Sequence, residues 1–185
     1  MRIYKGAFKR HSEERWASYE QGLAAGTEKV NAGAIYPHEI IGSYISEYQE
    51  MDIPAVSEAQ WNALPNWLMN NPYRILPVVD TSGSMYGGYG MKTSVKPIQV
   101  SVSLGLYVAE RNNGPFKDCF VTFSEEPTMQ IVRGDTLSER VHSISSAKWG
   151  MSTNLNGTFD VILSHAKRNR VMQSDMPNVI LILSD

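Results

Sequence analysis

Apolar positions fall into two regimes along the chain. Up to about residue 72 they recur at helical spacing, and beyond it short apolar runs alternate with amphipathic stretches. Trp16, Tyr19, Leu23 and Val30 stand three, four and seven residues apart, which predicts a helix stripe after a Ser12 cap. Pro37 suits a first helical turn, with Ile40, Ile41, Tyr44, Ile45 and Tyr48 on the apolar side of a second helix. Ser57 and Gln60 read as an S-x-x-Q capping box opening a third helix through Trp61 and Leu64. Pro65 ends or kinks that helix before the Asn70-Asn71-Pro72 turn. Residues 1–72 are therefore expected to be a helical segment.

Residues 73–185 read differently. Ile75–Val79 is a short apolar run ending at Asp80, followed by a loop with glycines at 83, 87, 88 and 90. A helix is expected over 95–111, with Val95, Ile98, Val102, Leu106 and Ala109 on one side. Strands follow at 119–123 and 129–132, then a helix near 135–145, the loop 148–154 and a helix near 156–170. The last run, Val179–Leu183, ends in Ser184-Asp185. Apolar strands alternating with amphipathic helices predict an α/β fold with a mostly parallel sheet covered by helices. Ligands of such sheets bind at the carboxyl ends of the strands. Three polar clusters fall there: Asp80-Thr81-Ser82-Gly83-Ser84, Ser152-Thr153, and Ser184-Asp185.

Composition narrows the classes. The 185 residues carry 17 Lys+Arg and 19 Asp+Glu, with 42% hydrophobic residues, and mean hydropathy is −0.28. Neither a disordered chain nor a membrane protein fits these values. Charge is nearly balanced in both halves, so neither has the basic excess that signals phosphate binding. The basic residues Lys5, Lys9, Arg10 and Arg15 read as a solvated helix start. The single cysteine, Cys119, excludes an intramolecular disulfide and a Cys-rich zinc site. The first residues lack the apolar core of a secretory signal, and no apolar run is membrane-spanning, so a cytoplasmic compartment is expected.

The three clusters contain two carboxylates and several hydroxyls. An all-oxygen set of this kind suits a hard cation, Mg2+ first, then Mn2+ or Ca2+. Alternate side chains in D-x-S-x-S can aim Asp80, Ser82 and Ser84 at one point, and Gly83 permits the tight turn between the serines.

The run Ile-Leu-Pro-Val-Val-Asp80-Thr-Ser82-Gly-Ser84-Met resembles the first metal motif of von Willebrand factor A (vWA) domains. The resemblance extends to Thr153, in Trp149-Gly-Met-Ser-Thr153-Asn-Leu, and to Asp185, in Val-Ile-Leu-Ile-Leu-Ser-Asp185. It implies a metal-ion-dependent adhesion site (MIDAS) of Asp80, Ser82, Ser84, Thr153 and Asp185. It also implies a protein partner whose acidic residue completes the ion's coordination. Sheets of that family continue past the second Asp, so the resemblance implies a fold left incomplete at residue 185. The helical preface is similar to that of Ro-type RNA-binding proteins (TROVE plus vWA). It is closer to uncharacterised prokaryotic and phage relatives, in which a segment like Gly33-Ala-Ile-Tyr-Pro37-His38-Glu39-Ile40 precedes the metal motif. RNA binding in the Ro type belongs to a longer helical ring, so an RNA partner is the second expectation.

A nucleotide hydrolase is the third. The glycines after Asp80 precede Lys92-Thr93, and Asp185 ends a strand as a Walker B Asp would. Met91 separates Gly90 from Lys92, however, which departs from G-x-x-x-x-G-K-[ST]. An aspartyl nucleophile at Asp80 would prefer a second carboxylate where Ser82 stands, and no G-x-S-x-G elbow surrounds Ser82 or Ser84. No catalytic activity is expected. Remaining residues have plainer readings: His38 and Glu39 as a helix start, and His11, His142 and His165 on the surface. Cys119 reads as a small buried apolar group, Trp16, Trp61 and Trp67 as packing residues, and Glu125-Glu126 as an exposed loop.

Overall fold

The computed structural model describes residues 11–45, 54–87, 95–147 and 154–185. Its sheet has four strands, β1 (Ile75–Val79), β2 (Cys119–Thr122), β3 (Met129–Ile131) and β4 (Val179–Leu183), in the order β3-β2-β1-β4. β1 pairs in parallel with β2 and β4, and β3 runs antiparallel to β2. The fold is α/β with a mostly parallel sheet. β1, at the centre, has both faces covered, which is why it reads as an unbroken apolar run.

Strand side chains alternate between two apolar layers. Val79 and Phe120 face one layer with Ile98, Val102 and Leu106 of helix α4 (Pro97–Arg111) and Val141 and Ile144 of α5 (Leu137–Ser145). Leu76, Val78, Cys119 and Val121 face the other, against Ile162 and Ala166 of α6 (Leu155–Arg168). Val95, expected on the apolar side of α4, lies ahead of that helix and is partly exposed.

The preceding segment is helical, in α1 (Glu13–Ala24), α2 (Pro37–Ile41) and α3 (Pro54–Asn62). α1 stops earlier than its stripe suggests. Gly26 takes φ +73, and the amides of Thr27 and Glu28 turn back to the Gly22 carbonyl. Val30 thus packs near Trp16, Tyr19 and Val56 from the loop after the helix. α3 begins at Pro54, so Ser57 and Gln60 are buried within it and do not cap its start. α2 continues as a 3-10 turn, Gly42–Tyr44, and Tyr48 lies outside the described residues.

This segment packs on the α4–α5 side of the sheet. Ile40, Ile41, Ile45 and Trp61 join the same apolar layer as α4. Each such side chain, buried from water, contributes about 1.5–3 kcal/mol. Polar groups fix the angle of docking. Trp61 Nε1 donates to Glu110 Oε2 at 2.7 Å. Tyr107 donates its hydroxyl to Pro65 O at 2.6 Å and accepts from Trp67 N at 2.8 Å. Trp67 is 54% exposed, yet its ring lies 5.0 Å from that of Tyr107. Arg140 Nη2 meets Glu58 Oε1 at 2.8 Å, and its Nε faces Glu110 Oε1 at 2.8 Å. Burial opposes the Arg140 charge, but the two carboxylates outweigh it and hold its pKa above the usual arginine value.

Among the described residues no helix is long and apolar enough to cross a membrane.

Candidate metal centre

β1, β2 and β4 run in the same direction, so their carboxyl ends share one edge of the sheet. Asp80 leaves β1 there, Phe123-Ser124 leave β2, and Ser184-Asp185 leave β4. Ser82 keeps an extended backbone (φ −63, ψ 165), and Gly83–Tyr86 then form a 3-10 turn closed by Met85 N to Ser82 O at 3.1 Å. That turn folds the two serines back toward the strand end.

The side chains of Asp80 and Ser184 pair with each other, those of Ser82, Ser84 and Asp185 form a second chain of contacts, and the Ser82 backbone amide joins the two sets. Asp80 Oδ1 accepts from Ser82 N at 2.8 Å, and Asp80 Oδ2 accepts from Ser184 Oγ at 2.6 Å. Ser82 Oγ and Ser84 Oγ lie 3.1 Å apart, and Ser84 Oγ donates to Asp185 Oδ1 at 3.2 Å. Residues more than 100 positions apart in sequence thus converge through the β1–β4 pairing.

Electrostatics distinguish the two carboxylates. Asp185 is exposed, whereas Asp80 is 5% exposed. Among the described residues no Lys, Arg or His pairs with either. Two hydrogen bonds partly compensate the buried Asp80 charge, but a buried carboxylate normally has a cation or metal opposite it.

The donor set fits a hard cation. Adjacent corners of an Mg2+ octahedron with bonds of 2.0–2.1 Å are about 2.9 Å apart. The 3.1 and 3.2 Å separations linking Ser82, Ser84 and Asp185 are near that value. Among the described residues no three His, Cys, Asp or Glu side chains group to hold a metal. A site here would depend on hydroxyl oxygen beside two carboxylates.

Thr153 lies outside the described residues, as do Trp149, Lys92 and Thr93. The residues flanking 148–153 are nonetheless tied to this edge. Thr81 Oγ1 donates to Ala147 O at 3.4 Å, and Asn154 N donates to Ser124 O at 3.2 Å. Asn154 also caps α6, its Oδ1 accepting from Gly157 N at 2.8 Å. Glu125 and Glu126 are exposed beyond β2. Cys119 is buried on β2, and burial pushes its thiol pKa up, as an inert apolar role requires.

Two participants escape motif reading. Ser184 supplies the shorter of the two hydrogen bonds to Asp80, and Ser101 on α4 donates to backbone at the strand ends. A serine among Val100, Val102 and Leu106, on the apolar side of a helix, is the signal that would have singled out Ser101.

Comparison with known proteins adds family relationships. Residues 1–71 match a family described as a domain of unknown function (DUF2828). An "Uncharacterized protein L728" from Acanthamoeba polyphaga mimivirus is 33% identical over 183 residues, covering 98% of this chain and 30% of the relative. The chain therefore spans less than a third of that relative's length. No solved structure matches. Residues 74–185, which hold the sheet and the Asp80–Asp185 cluster, match a second model, and by that match the chain belongs to the family described as Domain of unknown function (DUF7788).

Proposed function

We propose that the carboxyl edge of the sheet is a divalent-cation site, Mg2+ first, through which the protein binds a protein partner. The observation that carries this reading is the buried Asp80 carboxylate. It lacks a cationic partner among the described residues, accepts from Ser184 Oγ and Ser82 N, and lies at the same sheet edge as the Ser82–Ser84–Asp185 contacts. In this reading Ser82, Ser84 and Asp185 offer oxygens to the ion, Thr153 adds a hydroxyl, and Asp80 supplies the balancing charge. The bound ion would act as a Lewis-acidic bridge to a carboxylate of the partner. With hydroxyls and a single carboxylate in direct contact and Asp80 behind them, the ion would keep electrophilic character toward an anionic group from outside. The vWA resemblance of the motif set supports the same assignment. A cytoplasmic setting belongs to this reading, because the one cysteine is a buried free thiol and no intramolecular disulfide supports the fold.

Calorimetric titration of Mg2+ into wild type, Asp80→Ala and Ser82→Ala tests the proposal. Wild type is expected to bind, Asp80→Ala to lose measurable heat, and Ser82→Ala to bind about tenfold more weakly. Equal heats in all three proteins would sink it.

RNA binding and nucleotide hydrolysis are lesser readings. α4 begins at Pro97, four residues past Thr93, whereas a phosphate-binding loop puts its Lys-Thr at the helix start.

A further inference from the structure

We infer that Ser101 is a positioning residue that locks the ends of β1 and β4 together and so sets the spacing between Asp80 and Asp185. This inference rests on the cation-site reading for its functional consequence, but its geometry stands apart from it. Ser101 is 3% exposed, on the face of α4 turned to the sheet. Its Oγ lies 3.0 Å from Asp80 O and 3.0 Å from Leu183 O. A hydroxyl has one proton, so it is shared between the two carbonyls. Helical serines ordinarily return that proton to their own helix, as Ser103 does in donating to Val100 O at 3.0 Å. Ser101 directs it across to both strands.

The location gives this contact its leverage. Asp80 N donates to Leu183 O at 3.0 Å at the end of the β1–β4 pairing. Beyond it, among the described residues, Ser101 is the donor that reaches the Asp80 carbonyl. Asp80 begins the D-x-S-x-S turn, and Leu183 stands two residues before Asp185. The contact therefore sits at the root of both metal-facing segments. Gly105, one turn further along α4, makes the approach achievable: a Cβ there would lie 2.5 Å from Val79 Cγ2. The glycine brings the helix down onto β1, and the serine one turn earlier spans the gap to β4.

The test uses the 185-residue chain and two independent measurements. Without metal, amide exchange at Asp80 and Ser82 is expected to rise about tenfold in Ser101→Ala, the scale of one lost buried hydrogen bond. Amides of α6 should keep their wild-type rates, and Ser101→Thr, which retains a hydroxyl, should restore protection. Unchanged exchange at Asp80 and Ser82, or an equal rise throughout α6, would overturn the clamp. In Mg2+ titrations Ser101→Ala is expected to bind about tenfold more weakly than wild type, with recovery in Ser101→Thr. Affinity within twofold of wild type would overturn the positioning role. Absence of binding in wild type itself would instead sink the cation-site reading, while the exchange rates still decide the clamp.

Discussion

Asp80→Asn is expected to leave the metal-free protein at least as stable as wild type while weakening Mg2+ binding about 100-fold, or ~2.7 kcal/mol. The two effects have one cause. The Asp80 carboxylate is buried without a cation opposite it among the described residues, and such a charge costs stability that a bound ion, on the proposed reading, would offset. Asparagine has the same shape. Its carbonyl oxygen still accepts from Ser82 N, and its amide can donate to the Ser184 hydroxyl, which rotates to accept. Both hydrogen bonds survive and the desolvated charge goes. In the proposed site Mg2+ would lose one of the two carboxylates assigned to it, a large share of the attraction at short range. Thermal melts with EDTA, paired with Mg2+ titrations, check both halves. A metal-free melting point several degrees lower, with Mg2+ affinity unchanged, would make Asp80 a structural cap.

Arg140→Leu should destabilise the chain by about 2–4 kcal/mol. Arg140 lies between Glu58 of the helical segment and Glu110 of α4, at 2.8 Å from each. Its side chain is 17% exposed and those of the glutamates 32% and 19%, so partial screening keeps the cost below that of a fully buried pair. Removal leaves two carboxylates facing one apolar gap. Glu58 also accepts from Leu137 N at the start of α5, and Glu110 also accepts from Trp61. One substitution therefore loosens the seam between residues 1–71 and 74–185. Urea unfolding followed by tryptophan fluorescence and by circular dichroism gives the measurement. A midpoint within error of wild type would show that apolar packing alone holds the seam.

What the sequence made legible follows from what is local. β1 and β4 were readable as Ile75–Val79 and Val179–Leu183 because strands in a helix-covered sheet are continuously apolar. The placement of Asp80 and Ser184-Asp185 after them follows directly, as does their sharing of one sheet edge. Errors arose where a local pattern competed with tertiary burial. The spacing that includes Val30 continues past Gly26, where a positive φ ends the helix. Ser57 and Gln60 match a capping box but are buried inside α3, which spans Pro54–Asn62. Trp67 lies against Tyr107 at a tilt and still stays largely exposed. Ser184 and Ser101 acquire their contacts only when β1, β4 and α4 meet, and no spacing within one segment encodes that.

In the proposed site Asp80, Ser82, Ser84 and Asp185 surround one divalent cation. Paramagnetic Mn2+ added to isotope-labelled protein tests it most directly, since nuclei nearest the ion lose their signals first. The amides of Ser82, Ser84, Ser184 and Asp185 are expected to broaden at the lowest Mn2+ concentrations and to recover with excess Mg2+. Sharp signals at those four positions, while amides beside the exposed acidic pair Glu125-Glu126 broaden, would contradict it.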